Sequence, residues 1–417
     1  MDRRSAQMAA MCAAVTWALQ GWLPARWALL GSVLVMLRVD FMSYWVDSYW
    51  GGAVAATGGA LVLGALPRLI KRPTVLNSLW MGIGAALLAN SRPVEGLLFC
   101  LPVAGLLGVQ MFSAARTHLR RKAATVVVPA ALILACTAAF MGYYNWRITG
   151  NARLFPHVLY QRLYWNSPVF IWQSSKFAHV YDNPQFAEFF GDWNPPEYPP
   201  SLWVRMSLSK CRDAWNFFLG PVYSLPFLML PWLILDRRIR FLLLQLVWCG
   251  AWLLTVVWFS PHYAAPLTAT LFILLTQGVR HLRHWNLKGF RAGVFASRLI
   301  LVLALARAVS PGSEIVHRPL RGWNLQRAQI AQQLQRLPEK SLVIVRYTPN
   351  HNANHEWVYN AADIDGSKVV WARDIPGRDL HPLLDYYRDR RVWVVEADAT
   401  PPRLEPYAAA PASAASK

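Results

Sequence analysis

The chain has 417 residues, of which 55% are hydrophobic and 15% are charged. An ordinary soluble domain has about 25% charged residues, so this composition argues against a conventional soluble protein. The net charge of +20 does not point to nucleic acid, because most Arg and Lys lie in short loops between apolar runs, where they set topology and meet anionic lipid. The five cysteines form no C-x-x-C pair, which argues against a metal site or a disulfide framework.

The first three quarters of the chain contain about ten apolar runs, each predicted to cross a membrane as a helix. The fold class predicted from them is an all-α polytopic membrane domain over residues 1–310. Two of the runs, at 25–38 and 294–309, are short, so we expect them to be tilted or partly interfacial. The predicted spans are 7–23, 25–38, 49–67, 74–90, 94–112, 123–146, 215–235, 240–259, 262–280 and 294–309.

Basic loops indicate the orientation of these spans. Counting spans places four basic loops on one side, and the excess of Lys and Arg assigns that side to the cytoplasm. The loops contain Arg68, Lys71 and Arg72; Arg116, Arg120, Arg121 and Lys122; Arg237, Arg238 and Arg240; and Arg280, Arg283, Lys288 and Arg291. The outer face then has residues 39–48, 90–93, 147–214, 260–261 and everything after about 310. Arg3 and Arg4 depart from this pattern, because ten spans place them on the outer face. An additional upstream span would restore the pattern, and so would failure of one of the first two runs to cross.

The long outer loop at 147–214 is rich in aromatic residues and Pro, so we expect a lid on the membrane surface. Beyond it, residues 311–405 are predicted to form a small outer-face α/β domain. Its predicted elements are a helix at 324–337, strands at 341–347, 368–372 and 391–396, and a helix at 381–387. Residues 406–417 are expected to be a flexible tail. The two histidines of H-N-A-N-H-E at 351–356 favour a polar loop over a zinc site.

Polar candidates gather at the predicted outer face. The segment S-Y-W-V-D-S-Y-W-G-G at 43–52 follows Asp40 and contains Asp47, Tyr44 and Tyr49. Its carboxylates are candidates for a general base or for sugar hydroxyl contacts, and its rings for stacking on sugars. The alternative is an aromatic belt with solvated acids.

Two further outer turns carry candidate binding residues. In N-S-R-P-V-E-G at 90–96, Arg92 runs against the charge bias and is suited to holding a phosphate, with Glu95 nearby. The alternatives are an Arg92–Glu95 ion pair and a lipid-headgroup contact. In the turn at 260–263, His262 is a candidate phosphate contact or proton shuttle, with Tyr263 beside it, although a lone interfacial His is more often structural.

These segments, with P-H-Y-A-A-P at 261–266 and the topology, resemble the GT-C superfamily of polyprenyl-phosphate-dependent glycosyltransferases. The resemblance is greatest to bacterial protein mannosyltransferases and the aminoarabinose transferase of lipid A, and it covers residues 7–310. It implies that the turn at 90–96 holds the donor phosphate through Arg92, and that a soluble outer domain follows the last span.

The chain departs from this family at its amino terminus. The family carries its catalytic acid in a large first outer loop, and this chain starts too late to contain that loop. The expectations are therefore a fragment of a longer gene product, a misplaced start site or an inactive protein. Asp47 and Asp40 are the nearest carboxylates that could take the role of the base.

The resulting functional hypothesis is an inverting glycosyltransferase that moves a sugar from a polyprenyl-phosphate donor in the lipid bilayer of the inner membrane to an unidentified acceptor. No cofactor is expected, and a divalent cation is left open. The alternative is a non-catalytic membrane protein, either a transporter or a binding subunit with an extracytoplasmic domain. A transporter should carry ionisable residues at mid-span, and these are nearly absent here.

Overall fold

The computed structural model describes residues 3–39, 43–47, 50–112, 123–164, 168–173, 199–317 and 322–407, together with Tyr181 and Ala187. It is mostly helical, and the chain divides into two compact units. The first is Met1–Lys176 with Pro196–Val316, and the second is Phe177–Pro195 with His317–Lys417.

The described part of the first unit is built from helices, three of them preceded by a turn of another helical type. One such turn is the 3-10 helix Leu225–Met229, which directly precedes the α-helix Leu230–Leu235. A π-helical turn, Ala123–Val127, leads into α7, and a 3-10 helix, Pro261–Leu267, leads into α13. The α-helices are α1 Arg3–Trp22, α2 Ala25–Arg38, α3 Tyr44–Asp47, α4 Gly52–Lys71, α5 Val75–Ser91, α6 Pro93–Phe112, α7 Val128–Thr149, α8 Pro156–Tyr164, α9 Pro200–Phe218, α10 Gly220–Ser224, α11 Leu230–Leu235, α12 Arg240–Thr255, α13 Thr268–Leu282 and α14 Ala292–His317.

Four helical segments of the described chain are long and apolar enough to cross a membrane: Gly52–Lys71, Pro93–Met111, Ala123–Thr149 and Ala292–Val309. A fifth candidate is the pair Pro200–Phe218 and Gly220–Leu235, which is bent by 94°. About ten spans are therefore not confirmed. The α2 and α13 helices have 14 and 15 residues, which is short of the length that a bilayer core requires.

The predictions for the long outer loop and the span after it differ from the structure. The predicted span at 215–235 starts inside α9, which continues to Phe218 before the chain bends, so this boundary is wrong. Within the predicted outer loop at 147–214, the described residues include α8 and most of α9. Each of these helices begins with Pro, which favours a helix start because the first position has no intrahelical use for the N–H that Pro lacks.

The centre of the first unit is α4, which packs against α1, α5 and the 3-10 helix Pro261–Leu267. Its glycines allow this approach. A Cβ at Gly58 would lie 2.9 Å from the Gly84 carbonyl oxygen of α5, and one at Gly59 would lie 2.2 Å from the Pro266 carbonyl oxygen. Small residues let helix backbones come this close. Pro266 belongs to the same 3-10 helix as His262, so Gly59 contacts the turn that carries His262.

The second unit contains a four-stranded sheet with the order β2-β1-β3-β4. The strands are β1 Ser341–Arg346, β2 Val369–Arg373, β3 Arg391–Glu396 and β4 Arg403–Pro406. The first strand pairs in parallel with the second and third, and the fourth pairs antiparallel with the third. One face packs beside α15, Trp323–Gln335, and the other beside α16, His381–Tyr386. The fourth strand was not predicted.

Candidate functional site

Arg92 occupies a one-residue break between α5 and α6. A residue before Pro is disfavoured from the α conformation, and Pro93 suits the first position of a helix, so S-R-P ends one helix and begins the next. The Arg92 amide donates to the Leu88 carbonyl at 2.7 Å, and its carbonyl accepts from the Gly96 amide at 2.7 Å. The backbone of Arg92 is thereby fixed by both helices.

The guanidinium of Arg92 lies over an aromatic ring. Its Nη2 donates to the Trp50 carbonyl at 3.0 Å, and its Cζ lies 4.3 Å from the centroid of the Tyr263 ring. Its Nε is buried and has no hydrogen-bond partner among the described residues. The alternative Arg92–Glu95 ion pair is not formed in the structure. The guanidinium is therefore positioned by the protein and retains N–H groups for an anionic ligand.

Tyr44 and His262 form a hydrogen-bonded pair beside this arginine. The Tyr44 hydroxyl accepts from the His262 backbone amide at 3.1 Å and lies 3.1 Å from its Nδ1. Burial raises the pKa of Tyr44, so the hydroxyl is protonated at neutral pH. A hydroxyl that accepts the amide still has its own hydrogen to donate. Donated to Nδ1, that hydrogen would give a neutral imidazole with its hydrogen on Nε2.

Trp50 completes the cluster and is the exposed ring in it, with 58% of its surface accessible. Its ring centroid lies 4.8 Å from that of His262 and 6.0 Å from that of Tyr44. We call Tyr44, Trp50, Arg92, His262 and Tyr263 the outer-turn cluster. It combines one cation, imidazole and phenol groups and an aromatic face, which are the groups that bind phosphate and sugar.

A narrow apolar cavity of about 20 Å³ adjoins the cluster at Tyr263. Glu95, one of the predicted residues, contributes to the wall of this cavity. Leu253 and Leu267 line this cavity and also a larger one of about 300 Å³. The two cavities share these two wall residues, and we call the pair of cavities the apolar groove.

Lys210 lies on the wall of the larger cavity. It is buried, and its Nζ donates to the carbonyls of Leu254, at 3.0 Å, and Val256, at the carboxyl end of α12. A cation at a helix carboxyl terminus is stabilised by the helix dipole. Nothing in the sequence distinguished this lysine from its charged neighbours Arg212 and Asp213 within the predicted long loop.

The structure brings together four predicted site residues, Tyr44, Arg92, His262 and Tyr263, and places Glu95 at the adjoining cavity. Trp50 belongs to the aromatic segment that drew attention in the sequence, although its ring contacts with His262 span more than 200 positions. The remaining candidates, Asp40, Tyr49 and the Asp47 side chain, lie outside the described residues. In the described chain, no three His, Cys, Asp or Glu side chains are grouped so as to hold a metal ion.

Comparison with known proteins assigns no function to the chain, so any functional assignment rests on this geometry. No protein-family model matches the chain, and neither a curated protein nor a solved structure shows significant similarity to it.

Proposed function

We propose that this protein is a membrane glycosyltransferase of the GT-C type. It transfers a sugar from a polyprenyl-phosphate donor to an acceptor at the outer face of the inner membrane. The proposal includes about ten crossings, some by short or bent helices, and an extracytoplasmic second unit. The observation that carries it is Arg92, held between two helices with a buried Nε that has no protein partner among the described residues.

The ligand that this arginine fits is a phosphate attached to a lipid. A guanidinium binds phosphate through parallel hydrogen bonds, and partial burial strengthens such contacts. The Nε2–H of His262 offers a further donor, and the exposed ring of Trp50 a surface for the sugar. The larger cavity, of about 300 Å³, shares Leu253 and Leu267 with the small cavity beside Tyr263 and offers the first isoprene units a place out of water.

The reaction then needs a base and a leaving group. In an inverting transfer, a carboxylate takes the proton of the acceptor hydroxyl, the hydroxyl oxygen attacks the anomeric carbon, and the bond to the phosphate oxygen breaks. Arg92 stabilises the charge that develops on the polyprenyl phosphate as it leaves. Asp47 and Asp40 are the proposed sources of the base.

The test is binding of polyprenyl phosphate, the part of the donor that every sugar would share. A charge-assisted contact is worth about 1.5–3 kcal/mol, so Arg92→Ala should weaken binding in nanodiscs by roughly 10- to 100-fold. Arg92→Lys should restore binding in part, because it keeps the charge and loses the two-pronged geometry. The matched control is Arg72→Ala, which removes an exposed arginine just beyond the other end of α4.

Equal affinities for wild type, both Arg92 variants and the control would reject the site. Absence of binding by the wild-type protein would favour the non-catalytic alternative.

A further inference from the structure

A tight hairpin joins α13 to α14. Leu287 and Phe290 exchange backbone hydrogen bonds at 2.9 Å in both directions, around the two-residue turn Lys288–Gly289. Both turn residues have positive φ, 49° at Lys288 and 83° at Gly289, as a type I′ turn requires. The Gly293 amide also donates to the Trp285 carbonyl at 2.9 Å. Backbone bonds therefore hold this hairpin in one shape without help from its side chains.

The hairpin exposes large apolar side chains at the start of a candidate span. Trp285, Leu287 and Phe290 are 44%, 54% and 60% exposed, and Phe295 in the first turn of α14 is 59% exposed. The segment Ala292–Val309 that follows is one of the helices long and apolar enough to cross a membrane. The hairpin therefore lies where the hydrocarbon core meets the headgroups, a depth at which aromatic rings are favoured.

The same hairpin is strongly basic. Arg283, Lys288 and Arg291 are exposed, and their side chains form no ion pair or hydrogen bond with other described residues. The sequence contains no Asp or Glu between Asp236 and Glu314, and Asp236 lies against His281, at 3.5 Å, rather than against one of these three cations. Cations above inserted aromatic and aliphatic side chains match a phosphate headgroup above its acyl chains.

We propose that the segment 283–291 is a binding site for anionic phospholipid. The phosphate contacts Arg283, Lys288 and Arg291, while Trp285, Leu287 and Phe290 lie among the upper acyl chains. This site is separate from the outer-turn cluster and does not depend on the proposed transferase activity. It would tie the stability and tilt of α14 to the anionic lipid content of the leaflet that it faces.

Brominated lipids test the proposal through Trp285. The full-length protein and its Trp285→Phe variant are reconstituted in phosphatidylcholine that contains either brominated phosphatidylglycerol or brominated phosphatidylcholine. The difference between the two proteins isolates quenching of Trp285. At about 1 kcal/mol per cation near an anionic surface, phosphatidylglycerol should quench Trp285 at a mole fraction roughly tenfold or more below that of phosphatidylcholine.

Charge variants identify the source of that preference. Combined Arg283→Gln, Lys288→Gln and Arg291→Gln should bring the two lipids to nearly equal quenching. The control, Arg237→Gln with Arg238→Gln, removes exposed cations from another loop and should keep the preference. Each charge variant is compared with its own Trp285→Phe partner. Equal quenching in the wild type, an equal loss in the control, or a Trp285 that neither lipid reaches because another protein copy covers it, would each overturn the proposal.

Discussion

At the scale of single residues, the outer-turn cluster depends on polar groups that the backbone holds in place. Arg92 is fixed by two helix ends and His262 by a hydroxyl from a distant segment. Such groups are costly to leave without partners where little water reaches them. Some polar groups of the cluster are hydrogen-bonded within the protein, and others, such as the remaining N–H groups of Arg92, are left for a ligand. Tyr44 belongs to the first group.

Tyr44→Phe should lower the stability of the protein, and it should weaken donor binding less than Arg92→Ala does. The change removes the acceptor for a buried amide and the donor to Nδ1 of His262, and a buried group without a partner costs about 1–3 kcal/mol. We expect a lower melting temperature in detergent and a smaller loss of polyprenyl-phosphate affinity than Arg92→Ala gives. The control is Tyr143→Phe, whose ring is 58% exposed on α7. Melting temperatures that match between the two variants would contradict the role assigned to Tyr44.

At the scale of elements, hydrophobic runs predicted where helices lie better than where those helices bend or change type. The bounds predicted at 25–38 and 391–396 coincide with α2 and β3. The 3-10 helix at Pro261–Leu267 and the bend after Phe218 were missed, because an apolar run looks the same whether the helix is straight, bent or tightened. The fourth strand was missed because R-L-E-P is too short and polar to register as a strand.

The candidate site was predictable only in part for a related reason. Arg92 and His262 stood out because polar residues between apolar runs are few. Their shared location rests on contacts between segments far apart in the chain, such as Arg92 with Trp50 and Tyr44 with His262. Lys210 gave no signal, since capping of the α12 carbonyls depends on how two helices pack.

Gly59→Ala should disturb the cluster without touching any of its side chains. The added Cβ would lie 2.2 Å from the Pro266 carbonyl oxygen, so the 3-10 helix must move away from α4. Overpacking of this kind costs about 1–3 kcal/mol, and we expect a lower melting temperature together with weaker polyprenyl-phosphate binding. Gly105→Ala in α6 is the matched control, because its Cβ would meet nothing within 4 Å. A Gly59 variant as stable and as tight in binding as the Gly105 variant would show that this contact does not position the turn.

At the scale of the whole molecule, the two units differ in the solvent that they suit. The first is a bundle with several helices apolar enough for a bilayer, and the second has a mixed sheet with a core on each face. The composition predicts a change of character near residue 310, where the apolar runs end. The side of the membrane on which the second unit lies is a prediction from the basic loops.

Cysteine labelling tests that orientation. In a variant whose five native cysteines are replaced, a single cysteine at Ser413 should react with a membrane-impermeant maleimide in intact cells, because four basic loops assign the opposite face to the cytoplasm. A single cysteine at Asn286, an exposed residue of the basic hairpin, serves as the comparison and should stay unlabelled until the membrane is opened. The reverse pattern would invert the proposed topology.

The central claim, that the outer-turn cluster and the apolar groove hold a lipid phosphate, is tested most directly by photocrosslinking. A polyprenyl phosphate with a diazirine on an isoprene unit near the phosphate is bound to the full-length protein in nanodiscs, and the labelled peptides are mapped by mass spectrometry. The account predicts labelling of groove residues such as Leu253 and Leu267, and loss of that labelling in Arg92→Ala. Labelling spread over exposed residues such as Leu132 and Phe140, unchanged by the Arg92 substitution, would contradict it.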